Sequence, residues 1–214
     1  ALLPIEVVRE AEWIAPIKAA PYFVYAQFGT LDKVLAVADP GDDIPYLKAM
    51  WRYARAMAYA ERGDARALNE KAAIDAMVGL DGIKSSGIPA ATILALASHT
   101  IEGKYQQALG NHEAAVAAFT KAVAAQDSMP YMEPPYWYYA AEQSLGAALY
   151  AAGRYADAED AFKASLVRHP NSAWSLYGLM ESQQKLGRAG EAAVTEKLLM
   201  RASKTGSDVP FIKL

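Results

Sequence analysis

Cysteine is absent from the 214 residues, which excludes disulfides, a thiol nucleophile and Cys-ligated zinc, and leaves the redox compartment open. Histidine is scarce, with only His99, His112 and His169. Neither sign of charge is in excess: 21 Lys+Arg against 24 Asp+Glu leave a net charge of -3, so there is no basic surplus for nucleic acid and no acidic tail. No uncharged run is long enough to span a bilayer, and the opening Ala1-Leu2-Leu3-Pro4 lacks the basic, apolar and small-residue order of a signal peptide. A start at Ala rather than Met points to trimming or processing, so an upstream targeting segment stays open. No phosphate-cradling glycine loop followed by Lys-Ser/Thr, no nucleophile elbow and no pair of histidines four apart occurs, and Gly79-Leu80-Asp81-Gly82 has no strand before it. The chain therefore reads as a non-enzymatic protein with no cofactor, no nucleic-acid partner and no membrane insertion. It is expected to be soluble, in cytoplasm or periplasm.

What is present is apolar content and helical period. Hydrophobic residues make up 53% of the chain, enough to fill a sizeable core. Glycines that end an apolar helical stretch and open a short turn stand at Gly29, Gly63, Gly110, Gly153 and Gly187, with separations of 34, 47, 43 and 34. The residue five places after each gives a second series in the same register, Val34, Leu68, Ala115, Ala158 and Ala192. A fixed period of this size marks a repeat architecture.

Two copies overlay best. Ser144-Leu145-Gly146, Gly153-Arg154, Ala158, Phe162 and Pro170-Asn171 fall against Gly178-Leu179-Met180, Gly187-Arg188, Ala192 and Glu196. Small residues recur where helices must touch, so Gly146 and Ala158 are placed at the closest backbone approach, with Leu145, Leu149 and Phe162 filling the gap. Pro170 stops the second helix of its unit.

This pattern resembles the tetratricopeptide repeat, a family of helical hairpins of 34 residues. Over 139–172 the chain carries Leu145-Gly146, Leu149, Gly153, Tyr155, Ala158, Phe162 and Pro170, with Ser165 at the usual small position. The copy at 173–204 ends without the proline, and the copy at 96–129 keeps Gly103, Gly110, Ala115, Phe119 and Ala122 but has Glu102 where an apolar residue is usual. The resemblance covers 96–204 and, in degenerate form, 15–80, where Pro21 is expected to shorten the first helix. It implies an all-α fold, a right-handed superhelix of about five antiparallel hairpins forming a single domain over 1–204, with 1–14 as a flanking helix and 205–214 as a tail. The stretch Tyr131-Met132-Glu133-Pro134-Pro135-Tyr136-Trp137-Tyr138-Tyr139, followed by Gln143-Ser144-Leu145-Gly146-Ala147-Ala148-Leu149, is similar to the C-terminal half of large bacterial proteins of this family whose function is uncertain. That likeness implies that the chain is part of a longer array.

The two separations above the period, by 13 and 9 residues, map to 79–89 and to the proline-rich 127–135, and both are expected to leave the stack as loops. Helices are expected near 4–14, 21–28, 31–38, 44–62, 64–77, 89–109, 112–125, 135–152, 155–168, 172–187 and 190–204, with no strand.

In such a stack the first helix of each hairpin lines the concave face. That places Gln143, Ala147, Tyr150, Trp174, Tyr177, Glu181 and Lys185 there, with Tyr53, Thr100, Lys104 and Gln107 from earlier units. Tyr and Trp anchor interfaces, and Lys104 or Lys185 could meet a carboxylate. Trp174 and Tyr177 read equally well as cover for the neighbouring helix. The run Tyr136-Trp137-Tyr138-Tyr139 is expected to open a helix behind Pro135, its rings fanned at about 100° per residue, as a rim over the groove or, the favoured reading, a clamp on the inserted loop. His99 and Glu102 share a helical face but make only two ligands, more readily a surface hydrogen bond than a metal site. His169 suits a helix C-terminus.

The function expected is a scaffold that binds a peptide or partner segment on its concave face through Tyr150, Trp174, Tyr177, Glu181, Lys185, Gln143 and Lys104. The alternatives are a metal-binding or enzymatic domain near His99 and Glu102, and a structural segment of a longer array. The tail Val209-Pro210-Phe211-Ile212 is apolar enough to fold back into its own groove. The partner's identity and the oligomeric state are not encoded in any motif.

Overall fold

The computed structural model describes residues 3–203, and every regular element among them is helical. The tail at 205–214, with its proposed fold-back, lies outside the described residues. The chain divides into two compact units, one of 3–110 with 124–138, the other of 111–123 with 139–203.

The first unit contains α1 (Ile5–Glu10), a 3₁₀ turn at Glu12–Ile14, α2 (Ala15–Phe28), α3 (Leu31–Leu35), α4 (Pro45–Ala60), α5 (Arg66–Met77), α6 (Asp81–Lys84) and α7 (Ala90–Ala108). The fixed φ of Pro45 starts α4 in its first turn. That helix is the hub, because Tyr46, Leu47, Met50, Tyr53 and Ala54 bury it against α2, α5 and α7.

Three expectations fail here. The flanking helix over 4–14 breaks at Ala11, whose φ of -142° is not helical. Pro21 does not shorten α2: the helix starts six residues earlier, at Ala15 with Pro16 in the first turn, and runs through Pro21. Pro21 removes one N–H, and because it faces solvent, water can reach the freed carbonyl. The insert at 79–89 does not leave as a plain loop. It forms α6, buries Ile83 and Ser86, and ties the Ser86 hydroxyl to the Ile83 carbonyl at 3.0 Å.

The second unit contains most of α8 (His112–Asp127), with α9 (Ala141–Ala151), α10 (Tyr155–Arg168), α11 (Ala173–Lys185) and α12 (Ala189–Ala202). Successive helices from α9 onward pack on one another, and α9 also meets α11. The core joins Ala115, Val116 and Phe119 to Ala148, Leu149, Ala158, Phe162 and Leu179, and a second cluster gathers Leu176, Met180, Ala192 and Leu199. Ala158 and Ala192 are buried at these contacts, as the repeat requires.

The turn glycines explain the period. Gly63, Gly110, Gly153 and Gly187 hold φ of 63°, 75°, 76° and 75°, the left-handed region that ends helices. At Gly153 its N–H donates to the Tyr150 carbonyl at 3.0 Å, and the Arg154 N–H donates to the Leu149 carbonyl at 2.9 Å; Gly63 and Gly187 repeat both bonds. Gly29 differs, with φ of -72°, and is needed for space: a Cβ there would lie 2.5 Å from the Tyr25 carbonyl oxygen. The register slips at Gly63, where Ala67 rather than Leu68 is fully buried. The result is an all-α, tetratricopeptide-like series of helical hairpins.

Candidate binding surfaces

Helix α11 begins at Ser172, whose hydroxyl accepts from the Ser175 N–H, and buries Ser175, Leu176, Gly178, Leu179, Met180, Ser182 and Gln183. Accessible on it, with Ala173 and Gln184, is the stripe Trp174, Tyr177, Glu181 and Lys185, spaced by three or four residues. The first three are half-buried and Lys185 is exposed. Tyr150, near the end of α9, donates its hydroxyl to Glu181 Oε2 at 3.3 Å and stands edge-on to Tyr155. Burial first, then the Glu181 carboxylate, pushes the Tyr150 phenol up to about 12, and the same two causes raise that of Tyr177. Both rings therefore remain neutral hydroxyls, each an apolar body with a polar tip.

Gln143 is placed differently from this stripe. It is 5% exposed, and its side-chain oxygen accepts from Ser172 at 3.2 Å and lies 3.5 Å from the Ser175 hydroxyl, itself 2.7 Å from Ser165. These contacts tie α9, α10 and α11 together, and Trp174 packs on both apolar clusters.

Lys104, Thr100, Gln107 and Tyr53 belong to the first unit and do not form an open surface there. Lys104 is buried on α7, and Thr100 is buried with its hydroxyl on the Leu96 carbonyl at 2.8 Å. Tyr53 is 0% exposed, which removes it as a ligand contact; its hydroxyl meets that of Tyr138 at 2.9 Å. On α7, Glu102 accepts from Gln106 at 2.8 Å, beside the half-buried His99. Among the described residues no group of three or more His, Cys, Asp or Glu side chains converges.

The aromatic run corrects a further expectation. Residues 136–139 are not helical, and α9 starts only at Ala141. The reason is burial in two directions. Trp137 is 3% exposed and packs on Phe23 and Tyr53, while Tyr138 stacks on Phe23 with ring centres 4.8 Å apart. Tyr139 instead places its hydroxyl 3.0 Å from Ser144 on α9. Trp137 and Tyr138 thus clamp the inserted loop to α2 and α4.

Beside that clamp lies a cleft of about 430 Å³ in the first unit. Trp13, Pro16, Ile17 and Ala20 form one wall, Gly87 and Ile88 another, and residues 132–136 with Tyr138 the third. No sequence motif marks it, yet α2 carries the signal. Ala15, Ala19, Phe23 and Ala26 are its core face, while Ile17 and Val24 lie off that face and Trp13 stands in the turn before it, each more than half exposed. A helix segment apolar on both sides has a second surface to cover.

No protein-family model and no curated protein matches the chain. Two solved structures are similar in fold: a point mutant of MamA, at 18% identity and a TM-score of 0.48 over 92% of this chain and 96% of that one, and MamA MSR-1 C2, at 19% identity and 0.46 over 92% and 95%. These likenesses are too weak to bear on function. Among the described residues no helix is long and apolar enough to cross a membrane.

Proposed function

We propose that the chain is a protein-interaction module that grips a peptide or partner segment on the concave face of its hairpin stack, and acts by binding rather than by chemistry. The observation that supports this most is the continuity of Tyr150 with the stripe Trp174, Tyr177, Glu181 and Lys185 across the first helices of two successive hairpins. Half-buried rings supply area at low entropic cost, and Glu181 and Lys185 supply an acceptor and a cation for the backbone or side chains of an extended segment. Gln143, buried, holds α9 and α11 in register through Ser172 and Ser175. Lys104 lies in the other unit and is not needed for this grip.

The test is the double variant Tyr177→Ala with Lys185→Ala. Its melting temperature should stay within a few degrees of the parent, because neither residue is fully buried, while partner capture from lysate falls away. An unfolded double variant would assign both residues to the stack. A folded one that keeps every partner would move the binding surface elsewhere.

A further inference from the structure

The cleft in the first unit has a chemistry of its own. Its volume of about 430 Å³ falls in the range of small-molecule sites, roughly 300–1,000 Å³. Three of its lining residues, Trp13, Ile17 and Met132, leave 65%, 60% and 45% of their surface in water, an arrangement that costs free energy unless something covers it. Its walls are stiff. Pro16, Pro134 and Pro135 fix backbone on two sides, and Tyr138 is locked by its stack on Phe23 and its hydroxyl contact with Tyr53.

Charge decides the ligand class. Among the described residues Glu133 is the one lining side chain that carries charge near neutral pH, and no Lys, Arg or His joins it. Its carboxylate is oriented by the Tyr131 hydroxyl, which donates to Oε1 at 2.9 Å. The same cleft is lined by the aromatic residues Trp13, Phe23, Tyr136 and Tyr138, and aromatic ring faces carry negative quadrupole charge. Carboxylate and rings both favour a positive guest and both disfavour an anion.

We propose that this cleft binds a small organic cation with a hydrophobic body, the body against Ile17, Ala20, Phe23 and Ile88 and the cationic head toward Glu133 and the rings. The site lies wholly within the first unit and does not depend on the α9 and α11 surface.

Calorimetric titration of the full chain with three probes of one body and different heads tests this: phenylbutylammonium, phenylbutanol and phenylbutyrate. The ammonium should bind roughly tenfold or more tightly than the alcohol, with the carboxylate weakest. Glu133→Gln should remove most of the ammonium's advantage over the alcohol, leaving the part the rings supply, and Ala20→Trp, which fills the cleft from an exposed helix position, should abolish binding of all three. If Ala20→Trp perturbs the circular dichroism spectrum, Trp13→Ala replaces it, since that ring is mostly in water and its loss should weaken every probe without unfolding. Equal affinity for ammonium and alcohol, tighter binding of the carboxylate, no binding of any probe, or ammonium binding unchanged in both Glu133→Gln and the cleft variant would each overturn the assignment.

Discussion

The ring of Phe162 on α10 lies against the backbone of Gly178 on α11 so closely that a Cβ at 178 would sit 2.2 Å from its Cζ. A Cβ at Gly146 on α9 would come within 2.8 Å of the same ring. One phenyl group thus joins three helices across two hairpins, and both glycines are required by space. Gly178→Ala should cost roughly 1–3 kcal/mol by overpacking and Phe162→Ala roughly 3–5 kcal/mol by leaving a cavity. Because the two sites touch, Gly178→Ala combined with Phe162→Leu should be less destabilising than the sum of the single changes. Urea melts of Gly178→Ala, Phe162→Leu and the double variant measure this, and strict additivity would contradict the contact.

The turn glycines Gly153 and Gly187 need conformation and not space. A Cβ at Gly153 or Gly187 would meet nothing within 4 Å, yet both hold positive φ. Alanine at either should cost about 1 kcal/mol, whereas Gly190→Ala, inside α12 with open space around it, should stabilise by a similar amount. Thermal melts that rank Gly190→Ala with the other two would count against the left-handed turns.

This contrast shows how much was legible beforehand. The hairpins of the second unit could be read because a left-handed turn needs glycine and a close helix contact needs a small residue, so geometry writes itself into single positions such as Gly153 and Ala158. The first unit was harder. Pro21 reads as a helix breaker, but the cost of the missing N–H falls where water can reach the carbonyl, and local propensity cannot say which side of α2 is wet. Residues 136–139 carry helical sequence, and burial of Trp137 and Tyr138 on Phe23 outweighs it. Of the candidate contacts, Tyr150 and Glu181 come together as spacing suggests, while Tyr53, Gln143 and Thr100 are buried, since helical periodicity does not distinguish a groove from a core.

The buried carboxylate of Glu159 gives a third prediction. It is 2% exposed and accepts from the Arg188 guanidinium at 2.7 Å, linking α10 to the turn before α12. Glu159→Gln should destabilise by about 1–3 kcal/mol, and Arg188→Met by at least as much, because it leaves the buried carboxylate to the Lys163 ammonium, 2.7 Å from its other oxygen. Equal melting temperatures for Glu159→Gln and the parent would remove this link from the account.

Alkaline pH should weaken the fold through the tyrosines. Tyr150 is pushed up to about 12, and Tyr46, buried without a hydrogen-bond partner for its hydroxyl among the described residues, is raised further by desolvation. Above pH 10 the unfolded chain has released protons that the folded chain keeps, so the unfolded state binds fewer and stability falls as pH rises toward 12. Tyr46→Phe should be neutral or stabilising at pH 7 and should flatten this decline. A steeper decline in Tyr46→Phe than in the parent would contradict the buried, unpartnered hydroxyl.

The central claim, partner binding along α9 and α11, is tested most directly by site-specific photo-cross-linking in cells. A photoreactive residue is placed at Lys185, exposed at the end of the stripe, and in a separate chain at Val167, 82% exposed on α10. The account predicts discrete adducts from position 185 that disappear when Tyr177→Ala is added, and none from position 167. Adducts from 167 but not from 185, or adducts at 185 that survive loss of the Tyr177 ring, would contradict it.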